Sequence, residues 1–224
     1  MGKHHLKRLA ALRTWRINRK GFKFITKSVP GPHSLETGMP LNVLLKEILG
    51  YASTTREVKK ILNTNNIKID GKIRKNFRFP VGIFDVIEVA SINEYFRIIL
   101  NGKGKLDLIK IRKDESQLKP CKIVGKKMVR GKLQLNLFDG KNIFIDNNIC
   151  KIGDTLLLSI PEQKIAKHLK LDKNSTIFLT GGKHIGEVGN VDDIVGDKII
   201  YRDHKGDLIE TSKKYAFVIG DIKH

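Results

Sequence analysis

Of the motifs in the sequence, a glycine-rich segment near the carboxyl-terminal end is the most similar to a phosphate-binding loop. It reads Gly181-Gly182-Lys183-His184-Ile185-Gly186-Glu187-Val188-Gly189-Asn190-Val191. A Walker loop needs a lysine directly after its last glycine, and a dinucleotide fingerprint needs G-x-G-x-x-G. Here Glu187 follows Gly186, and the fingerprint spacing is absent. The pattern instead predicts a tight β-turn whose glycines adopt positive φ or let another backbone approach closely.

Cysteine and histidine, the other residue types that often do chemistry, are spaced too widely for a site. Cys121 and Cys150 are 29 positions apart and form no C-x-x-C pair, whereas a thiolate zinc site needs clustered ligands. Two reduced, buried thiols are the simpler interpretation. None of the seven histidines forms H-x-x-x-H, and no Ser/His/Asp, Cys/His or paired-carboxylate spacing is recognisable. The sequence therefore predicts no catalytic residue, no metal site and no cofactor.

Positive charge dominates the composition. The 224 residues carry 43 Lys and Arg against 23 Asp and Glu, a formal net charge of +20. The excess is +12 over residues 1–90 and +9 over residues 91–170, whereas residues 171–224 carry −1. A charge this large indicates a polyanionic partner, with nucleic acid the first candidate and an anionic membrane surface the second. No apolar run reaches the roughly 18 residues that a membrane-spanning helix needs.

The first thirty residues form a basic arm with nine Lys and Arg and no acid. Such a segment repels itself and is a poor candidate for a packed core, so its deletion is expected to leave the fold intact. Three interpretations compete: a transit peptide, although serine is scarce; a solvated tail; or an arm that orders on RNA phosphates, its aromatic residues stacking on bases or packing on the folded body. Counterion release rewards a basic segment on a polyanion, which favours the third.

Residues 38–90 show the pattern of two short helices followed by a hairpin. Apolar positions within 41–48 have the spacing of one buried helix face. Thr54 and Glu57 form a capping box that opens a second helix. Asp70-Gly71, between two alternating segments, is a hairpin signal.

Charge and motifs in this stretch indicate RNA contact. Residues 56–78 carry eight Lys and Arg against two acids, whereas a solvated surface usually mixes both signs. Three motifs resemble the S-four RNA-binding module: Arg56-x-x-Lys59-Lys60-Ile61-Leu62, Ile67-x-Ile69-Asp70-Gly71-Lys72 and Gly82-x-x-Asp85-Val86-Ile87. The first basic helix and the hairpin loop face RNA in that module. The resemblance therefore implies an RNA role for Arg56, Lys59, Lys60, Lys72, Arg74 and Lys75.

Beyond residue 90 the sequence has the spacing of short β-strands in a compact barrel or sandwich. Segments 95–100 and 106–111 are expected to begin a central β domain. Its clustered cations face either RNA or water: Lys119, Lys122, Lys126, Lys127, Arg130 and Lys132. The strand pattern of residues 171–224 predicts a small β-barrel. Their Gly181-Gly182-x-x-x-Gly186-x-x-Gly189-x-Val191 segment resembles the KOW motif of SH3-like barrels.

The order of these parts resembles the S-four-e family of archaeal and eukaryotic small-subunit ribosomal proteins over nearly all 224 residues. His5-x-Lys7-Arg8-Leu9-Ala10 followed by Trp15-x-Ile17-x-Arg19 is similar to the family's amino-terminal signature, which carries a proline where this chain has Leu12. The resemblance implies a structural, non-enzymatic component of the cytoplasmic small ribosomal subunit. It implies rRNA and neighbouring ribosomal proteins as partners, with no membrane and no small-molecule substrate. An RNA-modifying enzyme and a free translational regulator are the alternatives.

We therefore predict an α+β, multidomain fold. A basic arm (1–37) precedes a small helical-hairpin RNA-binding module (38–90), which is followed by two small β-barrel-like domains (91–170 and 171–224), the last SH3-like. The predicted RNA-binding residues lie in all four parts: Lys3, His5, Lys7, Arg8, Arg13, Trp15, Arg16, Arg19, Lys20, Lys23, Arg56, Lys59, Lys60, Lys72, Arg74, Lys75, Arg78, Lys126, Lys127, Arg130, Gly182 and Lys183.

Overall fold

The computed structural model describes residues 5–64, 66–145 and 149–220. It is mostly β, with several sheets and short helices, as expected in outline. The chain divides into two compact units, one formed by Met1–Ile99 with Lys105–Ser116 and the other by Leu100–Gly104 with Gln117–His224. Among the described residues, no helix has the length and apolar character needed to cross a membrane.

The first unit contains short strands and helices. Its strands are β1 (Leu6–Lys7), β2 (Phe24–Ile25), β3 (Gly38–Pro40), β4 (Ile67–Ile69), β5 (Lys72–Ile73), β6 (Pro80–Gly82), β7 (Val86–Val89), β8 (Glu94–Leu100) and β9 (Leu106–Ile111). Its helical segments are a 3₁₀ turn (Arg8–Ala10), α1 (Leu41–Val43), a π-helical segment (Leu44–Ile48), α2 (Thr55–Asn63) and α3 (Lys113–Ser116).

Local sequence signals account for the helices and the first hairpin. The single helix expected over 41–48 becomes π-helical after α1, because the backbone N–H of Leu49 bonds the carbonyl of Leu44, five residues back, at 3.0 Å. The Thr54–Glu57 capping box before α2 is confirmed. The hairpin signal is confirmed as well, since Asp70 and Gly71 adopt φ of 49° and 70° between β4 and β5.

A five-stranded sheet in the order β5-β4-β7-β8-β9 forms the centre of this unit. We expected segments 95–100 and 106–111 to begin the central β domain, but as β8 and β9 they extend the sheet of the preceding module. The turn after β7 is short, so β8 pairs directly with β7 in antiparallel register. The apolar side chains of Ile98 and Leu106 are thereby buried. The four-part division of the chain stays a prediction.

Part of the arm is packed in the core, so the expectation that this basic segment is a poor candidate for a packed core is wrong at Ala11 and Trp15. Trp15 is only 1% exposed, and its indole N–H donates to the carbonyl of Gly38 at 2.9 Å. The backbone N–H of Leu106 donates to the carbonyl of Thr14 at 2.7 Å, beside an isolated bridge to Trp15. The apolar area of one tryptophan outweighs the weak repulsion among solvent-screened cations.

The second unit contains the remaining strands. They are β10 (Leu118–Val129), β11 (Lys132–Leu137), β12 (Asn142–Ile145), β13 (Thr155–Ser159), β14 (Ile165–Leu169), β15 (Thr176–Leu179), β16 (Val188–Val195), β17 (Lys198–Arg202), β18 (Leu208–Ser212) and β19 (Ala216–Val218). They form two antiparallel sheets, in the orders β12-β11-β10-β13-β14 and β18-β17-β16-β15-β19.

Each sheet of the second unit has its own apolar core. The first core contains Ile123, Leu135 and Leu156. It also contains both cysteines, which are buried free thiols as expected. The second core contains Ile177, Val191, Ile199 and Tyr201, among other residues. Alternation of buried and exposed positions along β16 and β17 gives each strand one face toward this core.

The glycine-rich segment is a turn, as its sequence predicted. Gly182 and Gly186 have φ of 88° and 83°. A Cβ at Gly186 would lie 2.4 Å from the carbonyl oxygen of Asn101, and one at Gly189 would lie 2.6 Å from that of Arg202. Positive φ and close backbone approach therefore both require glycine here.

Candidate nucleic-acid interface

Helix α2 presents three of the predicted RNA-binding cations to solvent: Arg56, Lys59 and Lys60. Its capping box adds one acid to this end of the helix. The backbone N–H of Ser53 donates to the Glu57 carboxylate at 2.8 Å, and this bond lowers the pKa of Glu57 below its ordinary value. Glu57 is therefore ionised at neutral pH, and the cations outnumber it three to one.

The segment after β5 lies against α2 and adds further cations. The ammonium group of Lys59 is 4.9 Å from the centroid of the Phe77 ring, and the guanidinium carbon of Arg74 is 4.4 Å from that of Phe79. Arg78 is half-buried and donates from Nε to the carbonyl of Lys27 at 3.0 Å. The hairpin cations Lys72 and Lys75 are exposed. The structure thus brings together the two basic elements that the sequence singled out.

Asn42, which the sequence argument missed, connects these elements to the arm. Its side-chain amide donates to the hydroxyl groups of Thr26 at 2.6 Å and Thr55 at 3.2 Å. Its backbone N–H donates to the carbonyl of Phe77 at 2.9 Å. One buried residue thereby joins the arm, α1, the start of α2 and the segment after β5. The sequence signal that could have revealed Asn42 is a polar residue in an otherwise apolar stretch.

Besides Arg16, five of the predicted arm residues have exposed side chains: His5, Lys7, Arg13, Lys20 and Lys23. The His5 ring meets the Phe24 ring edge-on, with centroids 5.7 Å apart, and the Lys23 ammonium lies 5.7 Å from the same ring. Lys3 lies outside the described residues.

The other predicted arm residues are engaged within the protein. Arg8 is buried and pairs with Glu47, and Arg19 donates to the carbonyls of Ala11 at 2.8 Å and Leu12 at 3.0 Å. Exposed Arg16 pairs with both carboxylate oxygens of Asp107, at 2.7 and 2.8 Å.

Burial leaves Trp15 no face for a base, so this tryptophan packs on the folded body, the second of the two roles expected for arm aromatics. Arg8 likewise has its guanidinium committed to an internal ion pair. Both residues hold the arm in place.

In the second unit, the predicted cations separate into exposed and buried groups. Lys127 and Arg130 are exposed and Lys126 is half-buried, with Arg130 in the two-residue turn between β10 and β11. Gly182 and Lys183 are exposed in the glycine-rich turn.

Two lysines of the central cluster face neither RNA nor water, contrary to expectation. Lys119 is 2% exposed and pairs with Asp139 at 3.2 Å. Lys122 is 8% exposed and its ammonium donates to the carbonyls of Lys213, Lys214 and Ala216 at 3.2, 2.9 and 2.5 Å. Period-two alternation cannot reveal this, because a lysine on an inward position looks like any other lysine in sequence.

Within the described ranges, no group of three or more His, Cys, Asp or Glu could hold a metal ion. What each unit offers is a set of exposed cations. Such a surface binds a polyanion through its phosphates.

The fold and its exposed cations are those of a nucleic-acid-binding protein, and two family models identify the chain as a ribosomal protein. The RS4NT (NUC023) domain matches residues 1–36, and the model described as Ribosomal family S4e matches residues 92–165. Similarity to curated relatives over nearly the full length extends the match to both units. The chain belongs to the S4e family, whose members are structural, non-enzymatic ribosomal proteins.

Curated relatives and a solved structure carry the same family name. The chain is 43% identical to the small ribosomal subunit protein eS4 of Methanosphaera stadtmanae, over 98% of this chain and 93% of that protein. It is 42% identical to the eS4 protein of Methanocella arvoryzae, over 97% and 94%. The crystal structure of the 30S ribosomal protein S4e from Thermoplasma acidophilum matches with a TM-score of 0.71 and 28% identity, covering 82% of this chain and 95% of that one.

Proposed function

We propose that this protein is a structural constituent of the small ribosomal subunit and binds rRNA there. The observation that carries the proposal is 43% identity, over 98% of the chain, to a protein named for that subunit. A net charge of +20 fits a partner with one negative charge per nucleotide. The subunit's location makes the protein cytoplasmic, with other ribosomal proteins as its neighbours.

The RNA-facing residues in this proposal are the predicted ones other than Arg8 and Trp15, which are buried. The arm and module contribute Lys3, His5, Lys7, Arg13, Arg16, Arg19, Lys20, Lys23, Arg56, Lys59, Lys60, Lys72, Arg74, Lys75 and Arg78. The second unit contributes Lys126, Lys127, Arg130, Gly182 and Lys183. Arg8 and Trp15 act as positioning residues for the arm.

The proposal also includes the finer architecture. We interpret residues 38–90 as an S-four-like module and residues 171–224 as an SH3-like barrel of the KOW type. In support, the latter segment forms its own five-stranded antiparallel sheet with a separate apolar core. Two glycines of its KOW-like segment, Gly182 and Gly186, adopt the positive φ values of a tight turn.

Sedimentation of a cell extract tests the function directly. The protein is followed by antibody through a sucrose gradient, before and after a high-salt wash of the isolated subunits. A structural constituent is expected to remain with the small subunit after the wash. Recovery mostly at the top of the gradient, before any wash, would overturn the proposal in favour of a free regulator.

A further inference from the structure

Two phenylalanines of the arm are exposed although their side chains are among the most apolar in proteins. Phe22 is 79% exposed and Phe24 is 52% exposed, only two residues apart. Burying either ring would stabilise a monomer by about 1.5–3 kcal/mol. The arm buries Trp15 a few residues earlier, so it has the means to pack an aromatic ring. Exposure of both phenylalanines therefore indicates a partner.

The Phe24 ring is held in place by its neighbours. Phe24 lies in β2 opposite Lys7 of β1, which fixes its backbone. The edge-on contact of His5 and the nearby ammonium of Lys23 restrain the ring itself. A ring presented in this way loses little conformational entropy when a flat ligand stacks on it.

An open cavity of about 270 Å³ adjoins both rings. Its lining combines Phe22 and Phe24 with polar side chains that include Asn42, Lys46, Thr54 and Thr55. Aromatic faces beside hydroxyl, amide and ammonium groups match the surface of a nucleobase, which has an apolar face and a polar edge.

Charge decides between an RNA base and an apolar protein segment as the occupant. Lys20 and Lys23 flank Phe22, and the first thirty residues contain no acid. Glu47 also lines the cavity, but its carboxylate is paired with Arg8. Lys46 adds a further cation. Interleaved cations and aromatic rings are the arrangement that binds single-stranded nucleic acid.

We propose that Phe22 and Phe24 form a stacking platform for unpaired bases of RNA. This inference rests on the proposed rRNA binding and deepens it, because it assigns unpaired nucleotides to this end of the interface. Lys20 and Lys23 contact the adjoining phosphates, while the rings contact the bases.

The test compares the full-length protein with the double variant Phe22→Ala/Phe24→Ala. Binding is measured against a 12-nucleotide single-stranded RNA containing 2-aminopurine and against a duplex of equal length, over a range of salt concentrations. Affinity for the single strand is expected to fall about 5- to 150-fold per stacked base, with loss of 2-aminopurine quenching. Affinity for the duplex and the salt slope should be unchanged, since no phosphate contact is removed.

Two control variants make the result decisive. Phe144→Ala removes a ring from β12 that is about as exposed as that of Phe24, and it should leave single-strand affinity unchanged. Phe22→Leu/Phe24→Leu keeps apolar area but loses the flat π-face. If the leucine variant binds the single strand like the wild type, or the alanine variant shows no loss, the stacking platform is wrong. An alanine variant that keeps full affinity for the single strand would point to an apolar protein partner for the two rings instead. If the wild type itself binds no rRNA, the proposed function fails, which is a separate outcome.

Discussion

The ammonium group of Lys59 lies 4.9 Å from the centroid of the Phe77 ring. Lys59 belongs to α2 and Phe77 to the segment after β5, so one cation–π contact joins the two basic elements of the module. Its neighbour Lys60 is exposed on the same helix. Of these two adjacent lysines, Lys59 therefore contributes a cation–π contact to the fold and Lys60 is simply exposed on the helix.

We expect Lys59→Ala and Lys60→Ala to weaken RNA binding alike but to differ in stability. Each removes one phosphate contact, so the salt slope should fall by about 0.7–0.9 in both. Only Lys59→Ala also loses the contact with Phe77, which should lower the unfolding free energy by about 0.5–1 kcal/mol. Salt-dependent binding and urea denaturation measure the two effects.

The matched control is Lys198→Ala, which removes an exposed lysine paired with Glu210 in the part of the chain whose net charge is −1. It should leave the RNA salt slope unchanged. A slope that falls equally in all three variants would show that RNA binding follows net charge and not this surface.

Trp15→Phe is expected to lower the unfolding free energy by about 1–3 kcal/mol. The variant loses the indole N–H and leaves the carbonyl of Gly38 without its donor in a buried place. Trp15→Ala should cost about 3–5 kcal/mol, because it also opens a cavity. Deleting residues 1–30 should therefore destabilise the first unit.

Leu9→Ala, at an exposed arm position, should change stability by no more than about 0.5 kcal/mol. Equal losses in the Leu9 and Trp15 variants would contradict the burial of the tryptophan.

Gly82→Ala is expected to destabilise the first unit by at least about 1–3 kcal/mol. A methyl group at Gly82 would lie 2.3 Å from Cγ of His33, and this buried ring cannot move freely because its Nε2 is 3.0 Å from the Asp85 carboxylate. Adding His33→Ala to Gly82→Ala should recover part of the loss, so the two changes are non-additive. Thermal unfolding measures both.

Gly102→Ala is the control, because a methyl group there would contact nothing within 4 Å and no positive φ requires glycine. It should be neutral or slightly stabilising. Strict additivity of the His33 and Gly82 changes would exclude the steric explanation.

Lys122 should make stability rise with pH in the alkaline range. Burial, and secondarily the charge of Lys213, lower the pKa of Lys122 from 10.5 to about 8. Between these values the unfolded chain binds the proton more tightly than the folded chain, so stability increases with pH. The unfolding free energy of the wild type relative to Lys122→Met should rise by up to about 1.4 kcal/mol per pH unit over this window.

Lys198→Met provides a contrast in sign. The hydrogen bond to Glu210 raises the pKa of this exposed lysine, so its small contribution to stability should be lost as pH rises. Denaturant unfolding at several pH values between about 7 and 10.5 measures both differences. A difference between wild type and Lys122→Met that stays flat over this range would mean that Lys122 keeps its ordinary pKa.

The sequence by itself determined the local features and the family. The Thr54–Glu57 cap, the Asp70-Gly71 turn and the glycine-rich turn depend on residues a few positions apart, whose backbone preferences act before any tertiary contact forms. The order of the motifs indicated the S4e family, and the exposed cations of α2 followed from helix periodicity.

Only the tertiary structure decided which residues of a type are buried. The indole N–H of Trp15 donates to a carbonyl 23 positions away, and Lys122 donates to carbonyls more than 90 positions away. Strand β8 joins the sheet of the module. Burial of a tryptophan or a lysine depends on partners distant in sequence, and no local pattern encodes them. For the same reason, exposed Phe22 and buried Trp15 look alike in sequence and differ only once the chain has folded around one of them.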